Sequence, residues 1–242
     1  MEKKGNIYEL LNQYLDIGED SINILEDKID SDTQMEYFEY SRIHDNKDLS
    51  DEIFNNRDLI FNEDVPEEYK KNILVQLATI NDVEAYRTIQ KYISGPSTLL
   101  YDWACMALQE SRLLLESNLL EENKVLITTG LGGKGFKLRY FIVFFTNNGS
   151  SFNHLQKKII KSELNFTMNK NGAEIEDIIF ENCFASILAI VPINIPVKQL
   201  FNSVIFECNQ MGHFLFNDYI ITNLRVLSVE EIKEMLAINN VY

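Results

Sequence analysis

The sequence predicts an α+β protein: an all-α N-terminal region with helical hairpins, followed by an α+β domain. Apolar residues recur at helical spacing up to residue 123, and at strand spacing or in short continuous runs from residue 124 onward. Charge changes at the same point, because residues 1–123 carry 27 Asp and Glu against 11 Lys and Arg, whereas residues 124–242 carry 10 against 11. Both observations place a domain boundary after Asn123.

Residues 1–65 are predicted to form an acidic arm that is partly helical and partly irregular. Two short amphipathic helices are expected, one in "NIYELLNQYLDI" and one in "DSINILEDKI", where Ile22, Leu25 and Ile29 have helical spacing. Between residues 30 and 66, carboxylates mix with aromatic side chains without a clear period. This composition is typical of a loosely packed helical arm or of a segment that orders on a partner. So acidic a segment also fits a mimic of nucleic-acid phosphates that binds a basic protein.

Residues 66–123 are predicted to form antiparallel helical hairpins. Pro66 begins the first helix, the Asn81–Asp82 pair caps the second, and Ser97 begins the third. We expect Glu110 in the third helix to pair with Arg87 in the second.

Within this region, "NILVQLATINDVEAYRTIQKYISGPSTLLYDWACMALQES", residues 72–111, resembles a HEAT-type helical repeat. It has a helix, a short turn at Asn81–Asp82, a second helix, and then a small-residue helix, "WACMAL", which begins the next unit. The resemblance covers about a sixth of the chain. It implies a protein-interaction surface.

Residues 124–242 are predicted to form an α+β sandwich of the order β-β-α-β-β-α-β-α. The strands are expected at 124–129, 138–146, 174–182, 184–192 and 214–227, and the helices at 150–164, 196–211 and 228–237. The runs "YFIVFF" and "ASILAIV" are apolar on both faces, which is typical of strands at the centre of a sheet. We therefore expect a mainly antiparallel sheet with the helices against one face.

The segment "TTGLGGKGFKLRYF", residues 128–141, contains four of the ten glycines. Phosphate-binding loops of the Walker and dinucleotide types lead into a helix, whereas a strand follows here, so neither motif is present. Two interpretations remain: a hairpin whose glycines only supply positive φ angles, or a hairpin loop whose exposed N–H groups and flanking basic side chains bind an anionic ligand. The candidate ligand-binding residues are Gly130, Gly132, Gly133, Lys134, Gly135, Lys137 and Arg139.

The helix predicted at 150–164 combines an apolar face with a basic one. The apolar face consists of Phe152, Leu155, Ile159 and Ile160, and the basic face, a candidate docking patch, consists of His154, Lys157, Lys158 and Lys161. Such a patch could bind an acidic partner or the acidic half of the chain by complementary charge.

Other reactive side chains have simpler structural interpretations. Cys208 follows the apolar stripe of its helix and is expected in the core, while Gly212 ends that helix in a left-handed conformation. Glu174 and Glu176 are expected on the solvent side of a strand, where charge protects a sheet edge. We therefore predict no catalytic residues, and we expect no metal site and no cofactor.

These features favour a protein-interaction or adaptor protein rather than an enzyme. No secretion signal and no apolar run long enough for a membrane span occurs in the sequence, so we expect a cytoplasmic protein without membrane contact. A net charge of −15 disfavours direct binding to nucleic acid and points to another protein as the partner. The alternative is an enzyme or sensor that binds a nucleotide or another phosphate-bearing small molecule through residues 130–139.

Overall fold

A computed structural model describes residues 8–9, 21–44, 50–95, 99–122 and 124–238. Contacts divide the chain into two compact units. The helical unit is Glu19–Ile127, and the sheet unit is Thr128–Tyr242 with residues 1–18. A helical region therefore precedes a mixed domain, which confirms the predicted α+β class. The helix predicted at "NIYELLNQYLDI" lies outside the described residues apart from Tyr8 and Glu9.

The helical unit contains five α-helices and a short parallel sheet within its described residues. Its elements are β1 (Ile22–Ile24), α1 (Ser31–His44), α2 (Ser50–Asn55), a 3-10 helix (Arg57–Phe61), α3 (Glu67–Thr79), α4 (Val83–Ile93), α5 (Tyr101–Leu120) and β2 (Val125–Ile127). β1 pairs with β2 in parallel register. The helix predicted over "DSINILEDKI" is therefore wrong at Ile22–Ile24, because pairing with a distant strand outweighs local helical spacing.

A single hydrophobic core joins the segments predicted as arm and hairpins. Its fully buried side chains include Tyr37 of α1, Ile60 of the 3-10 helix, Leu77 of α3 and Ile89 of α4. The described part of region 30–66 is thus folded and closely packed, because its aromatic and aliphatic side chains enter this core rather than a loose arm.

Two local predictions in this unit have different outcomes. Asp82 caps α4, since its side chain accepts a hydrogen bond of 2.6 Å from the Glu84 amide, which confirms the predicted cap. The predicted Glu110–Arg87 pair is wrong: the Tyr37 hydroxyl donates to Glu110 at 2.5 Å, and Arg87 lies 3.2 Å from Glu84. Glu110 is held by Tyr37 and Ser41 of α1, whereas Arg87 is exposed on α4. The predicted start at Ser97 lies outside the described residues, and the described helix begins at Tyr101.

The sheet unit contains a five-stranded antiparallel sheet and three helices within its described residues. Its elements are β3 (Gly133–Lys134), β4 (Lys137–Phe145), α6 (His154–Lys170), β5 (Glu174–Glu181), β6 (Phe184–Pro192), α7 (Val197–Gln210), β7 (Ile220–Thr222) and α8 (Val229–Ile238). The sheet order is β3-β4-β6-β5, with β7 also paired to β4. From β4 onward this is the β-α-β-β-α-β order of ferredoxin-like domains. The two apolar runs form β4 and β6 at the sheet centre, as predicted.

The helices of this unit lie on both faces of the sheet. Phe144 points towards α7, with its ring centroid 6.2 Å from that of Phe201. Phe145, the next residue, belongs to a cluster with Ile232 and Leu236 of α8. Successive side chains of a strand point to opposite faces, so α8 covers the face opposite α7. The prediction that all helices pack against one face is therefore wrong for α8.

Helix α6 is longer than predicted and has a different core stripe. Asn153 and Gln156 form a capping box at its start, and it continues to Lys170. Buried residues recur every four positions at Ile160, Leu164 and Met168. Leu155 is 64% exposed, so its predicted place in the core is wrong. It lies five residues from Ile160, which turns it about 140° away at 3.6 residues per turn.

Helix α8 begins with a charged capping box. Glu231 N–H donates to Ser228 Oγ at 3.2 Å, Ser228 N–H donates to Glu231 at 2.8 Å, and Arg225 donates to both carboxylate oxygens at 2.5 and 2.9 Å. The Arg225 hydrogen bond is the main cause that lowers the pKa of Glu231 from 4.5 to about 2. A lowered pKa contributes stability at pH above 4.5 that is lost as pH falls towards about 2.

We expect Glu231→Gln to weaken the acid sensitivity of the sheet unit, because the variant lacks the carboxylate that must take up a proton. Urea midpoints measured at pH about 3 and about 6 check this, since the difference between them should shrink. Glu230→Gln, an exposed neighbour in the same helical turn, is the control and should keep the wild-type difference. Equal pH dependence in both variants would contradict the assignment.

Candidate functional site

The glycine-rich segment forms two successive turns in the sheet unit. In the first, Gly132 N–H donates to Thr129 O at 3.0 Å, and Gly132 has a φ of 66°. In the second, Gly135 has a φ of 56° at the first loop position of the β3–β4 hairpin, where Lys134 pairs with Lys137. Positive φ angles at these two glycines confirm that glycine is used for turn geometry in this segment.

The hairpin differs from the predicted one in the strand that precedes it. The strand predicted at 124–129 is Val125–Ile127, which pairs with Ile22–Ile24 inside the helical unit. The partner of β4 in the hairpin is instead the two-residue strand β3. Gly130, Gly132 and Gly133 are buried, and only Gly135 of the four glycines is exposed.

The three predicted basic side chains lie together, and each contacts a carboxylate of β5. Lys134 and Lys137 Nζ lie 3.3 and 2.7 Å from the two oxygens of Glu174. Arg139 donates from Nε and Nη2 to Glu176 at 2.5 and 2.9 Å, and from Nη1 to Leu131 O at 2.6 Å. These contacts cross β6, which lies between β4 and β5. We call Lys134, Lys137, Arg139, Glu174 and Glu176 the charge cluster.

The charge cluster differs in burial from one end to the other. The Arg139 side chain is 10% exposed and its partner Glu176 is 31% exposed, whereas Lys134 is 63% exposed. Hydrogen bonds from Lys137 and then Lys134 lower the pKa of Glu174, so that this carboxylate stays ionised. An anionic ligand at the glycine segment would have to displace Glu174 and Glu176.

Sequence reasoning identified both halves of the charge cluster but did not pair them. Glu174 and Glu176 were expected to face solvent as edge protection, and β5 is indeed an edge strand. The signal was available as opposite charges two residues apart, at Lys137 and Arg139 in one strand and at Glu174 and Glu176 in another. The strand register could not be predicted from the sequence, because a bulge between Ile175 and Asp177 shifts Glu176 relative to β6.

Two of the four side chains in the predicted basic patch on α6 contact another part of the sheet unit. Lys157 and Lys161 Nζ lie 5.5 and 5.6 Å from the ring centroid of Phe180 on β5. His154 and Lys158 are exposed. The structure thus leaves His154 and Lys158 exposed, whereas Lys157 and Lys161 lie against an aromatic ring of the sheet, with Lys157 half-buried.

The Cys208 region has a structural role. Cys208 is fully buried, as predicted, and burial is the main cause that raises its pKa to about 12. The Asn209 side chain accepts from Leu215 N–H at 2.8 Å and donates to Leu215 O at 2.9 Å. His213, with a φ of 48°, adopts the left-handed conformation expected at Gly212, whose φ is 143°. Burial and a raised pKa disfavour the thiolate, which is the nucleophilic form of cysteine.

The exposed face of α1 in the helical unit was not identified from the sequence. Met35, Phe38 and Ile43 are 62%, 44% and 72% exposed, while the opposite side of α1 buries Gln34 and Tyr37. Apolar residues occur along α1 without a clear period, and only the packing of Tyr37 shows which side is covered. We call Met35, Phe38 and Ile43 the α1 apolar face.

A cavity of about 330 Å³ lies beside the N-terminal half of α1 in the same unit. Its charged lining residues are Glu36, Glu67, Lys71 and Asp102, and Trp103 forms part of its wall. Lys71 Nζ lies 2.8 Å from Glu36 and 4.5 Å from the Trp103 ring centroid. Burial first, and then Asp27 and Asp30, raise the pKa of Asp102. Three carboxylates against one ammonium leave this region negatively charged.

Two classes of site are lacking in the part of the chain that the structure describes. No group of three or more His, Cys, Asp and Glu side chains there could hold a metal ion. None of its helices combines the length and apolarity that crossing a membrane requires.

Comparison with known proteins provides no functional assignment. No family model matches the chain, and no curated protein matches it. Among solved structures, one described as "a putative transposase from Deinococcus radiodurans R1" has 15% identity and a TM-score of 0.37. The match covers 46% of this chain and 96% of that one. At that score the likeness supports no conclusion about fold or function.

Proposed function

We propose that this protein is a cytoplasmic interaction or adaptor protein whose helical unit binds a basic protein partner through the α1 apolar face. The observation that carries the proposal is the exposure of Met35, Phe38 and Ile43 on one side of a helix. At 3.6 residues per turn they fall within about 140° of the circumference. Clustered exposed apolar side chains mark interaction surfaces more than single ones do.

The charge of the helical unit supports a basic partner. Residues 19–127 carry 24 Asp and Glu against 10 Lys and Arg. The cavity with Glu36, Glu67 and Asp102 adds a concave acidic region to the same unit. Exposed apolar side chains interspersed with charged ones, here Glu39 and Arg42, provide affinity through burial, and selectivity and association rate through complementary potential. The HEAT-like resemblance of residues 72–111 points to the same class of function.

The charge cluster weighs against the alternative, a phosphate-binding enzyme or sensor. Lys134, Lys137 and Arg139 are engaged by Glu174 and Glu176, so a phosphate would compete with two carboxylates already in place. Arg139 is also held by Leu131 O. A ligand would therefore lose much of the electrostatic gain that such a loop normally offers.

The proposal is tested by changing the α1 apolar face. The partner is isolated on the immobilised full chain, identified, purified, and titrated back by isothermal titration calorimetry. We expect Met35→Ser, Phe38→Ser and Ile43→Ser together to weaken binding by about 100-fold, because central apolar contacts carry most of an interface's affinity. Binding should also weaken as salt is raised.

A control variant on the sheet unit separates this effect from general loss of apolar surface. Leu155→Ser with Phe166→Ser removes two side chains that are 64% and 66% exposed on α6. This variant should bind within about threefold of wild type, and far-UV circular dichroism confirms that both variants are folded. The proposal is wrong if no purified protein binds, or if the α1 variant binds as tightly as wild type.

A further inference from the structure

A second cavity in the helical unit, of about 440 Å³, has a buried lysine in its wall. Lys70 of α3 lines it together with Ile60, Phe61, Glu63 and Tyr92. The volume is within the range of roughly 300–1,000 Å³ typical of small-molecule sites. The cavity combines an apolar wall with two charged residues, Glu63 and Lys70, which is the usual composition of such a site.

Lys70 differs sharply from Lys71, the next residue in the chain. Lys71 has Glu36 at 2.8 Å and the Trp103 ring for partners. Lys70 is 8% exposed, and among the described residues its ammonium forms no hydrogen bond or ion pair. An ammonium without an opposite charge beside it gains from pairing with an incoming anion. Lys70 therefore supplies an unused positive charge inside the cavity.

Four other lining residues, Ile60, Phe61, Glu63 and Tyr92, indicate what the rest of the ligand is. Ile60 is fully buried, and the rings of Phe61 and Tyr92 have centroids 6.3 Å apart, so they form an apolar, partly aromatic wall. Glu63 is exposed and lines the same cavity, where its carboxylate repels a second negative charge. We propose that this cavity binds a monocarboxylate with an apolar or aromatic body, its carboxylate paired with Lys70.

The experiment compares a charged probe with its neutral isostere. Saturable binding of 3-phenylpropionate and of 3-phenylpropionamide to the full chain is measured by ligand-observed NMR titration. We expect the carboxylate to bind about tenfold more tightly, because a charge-assisted hydrogen bond contributes more than a neutral one. Lys70→Met should remove this preference, whereas Lys71→Met should keep it.

Two further variants keep the test decisive if Lys70→Met fails to fold. Lys70→Arg retains the charge and should retain the preference for the carboxylate. Glu63→Gln, at an exposed position, should tighten binding of the carboxylate about two- to fivefold and leave the amide unchanged.

The proposal is overturned if the carboxylate shows no saturable binding, if acid and amide bind alike, or if Lys71→Met acts like Lys70→Met. The cavity proposal does not depend on the α1 apolar face. Failure of partner binding therefore does not contradict it, and failure of carboxylate binding does not contradict the proposed interaction with a partner.

Discussion

Arg139→Met is expected to destabilise the sheet unit by about 3 kcal/mol. Methionine keeps most of the apolar length of the side chain but removes the three hydrogen bonds that Arg139 donates to the Glu176 carboxylate and the Leu131 carbonyl. Breaking a buried ion pair costs about 3–5 kcal/mol, and the lower value applies because Glu176 keeps some contact with water. Urea unfolding followed by far-UV circular dichroism provides the measurement, with fluorescence of Trp103 reporting the helical unit separately.

Lys134→Met is the matched control at the exposed end of the charge cluster. Lys134 is 63% exposed and 3.3 Å from Glu174, which keeps Lys137 as a partner. Its loss should cost less than about 1 kcal/mol. A double variant, Arg139→Met with Glu176→Met, should recover part of the loss, since the carboxylate that loses its ion pair with Arg139 is removed as well. Equal effects of Arg139→Met and Lys134→Met would show that burial does not distinguish the two pairs.

Tyr37→Ala is expected to destabilise the helical unit by about 4 kcal/mol, in the range for aromatic residues in a core. Tyr37 has no exposed surface, and its ring centroid lies 5.2 Å from that of Trp103. The substitution also removes the hydroxyl that donates to Glu110 at 2.5 Å. Trp103 fluorescence during urea unfolding reports the change directly, because the chain has a single tryptophan.

Two further substitutions separate the loss of core packing from the loss of the hydrogen bond to Glu110. Phe38→Ala, at a residue 44% exposed, should cost about 1 kcal/mol or less. Tyr37→Phe keeps the ring and should cost about 1.5–3 kcal/mol, the contribution of a hydrogen bond to a charged group. If Tyr37→Ala and Phe38→Ala had equal effects, the segment before Pro66 would not share a core with α5.

The contact between Tyr37 and Glu110 also predicts that stability falls at alkaline pH. Burial first, and then the charge of Glu110, raise the pKa of Tyr37 well above 10. Because the unfolded hydroxyl ionises near 10 and the folded one does not, wild-type stability falls as pH rises above that value. Tyr37→Phe lacks this term and should show a smaller alkaline loss, which urea midpoints at pH about 8 and about 11 measure.

Long, strongly periodic segments were predicted most successfully. The strand predicted at 184–192 is Phe184–Pro192, and the helix predicted at 196–211 is Val197–Gln210. In both, a continuous apolar run or a repeating stripe determines which side chains must leave water, and local geometry follows from that. Short elements were predicted less accurately. The strand Ile22–Ile24, for example, has too few residues for its period to identify it as a strand.

In the candidate sites, too, the sequence shows which residues are charged, but only the tertiary structure shows how they are paired and buried. The positive charge of Lys134, Lys137 and Arg139 and the negative charge of Glu174 and Glu176 are evident in the sequence. Their pairing requires β4 and β5 to flank β6 in one register, with a bulge that no local pattern encodes. Lys70 and Lys71 are adjacent and chemically identical in the sequence, and only the packing of α3 buries one unpaired and gives the other a partner.

The sequence by itself determined the α+β class, the acidic character of the first half, the two central strands and the glycine turns. Hydrophobic period, charge count and the φ freedom of glycine are local properties, so they can be read along the chain. Tertiary structure alone decided the pairing of β1 with β2, the place of α8, the partners of Arg139 and Glu110, and the burial of Lys70. Each of these depends on segments far apart in sequence meeting in space, where burial and charge compensation are decided by neighbours rather than by the residue itself.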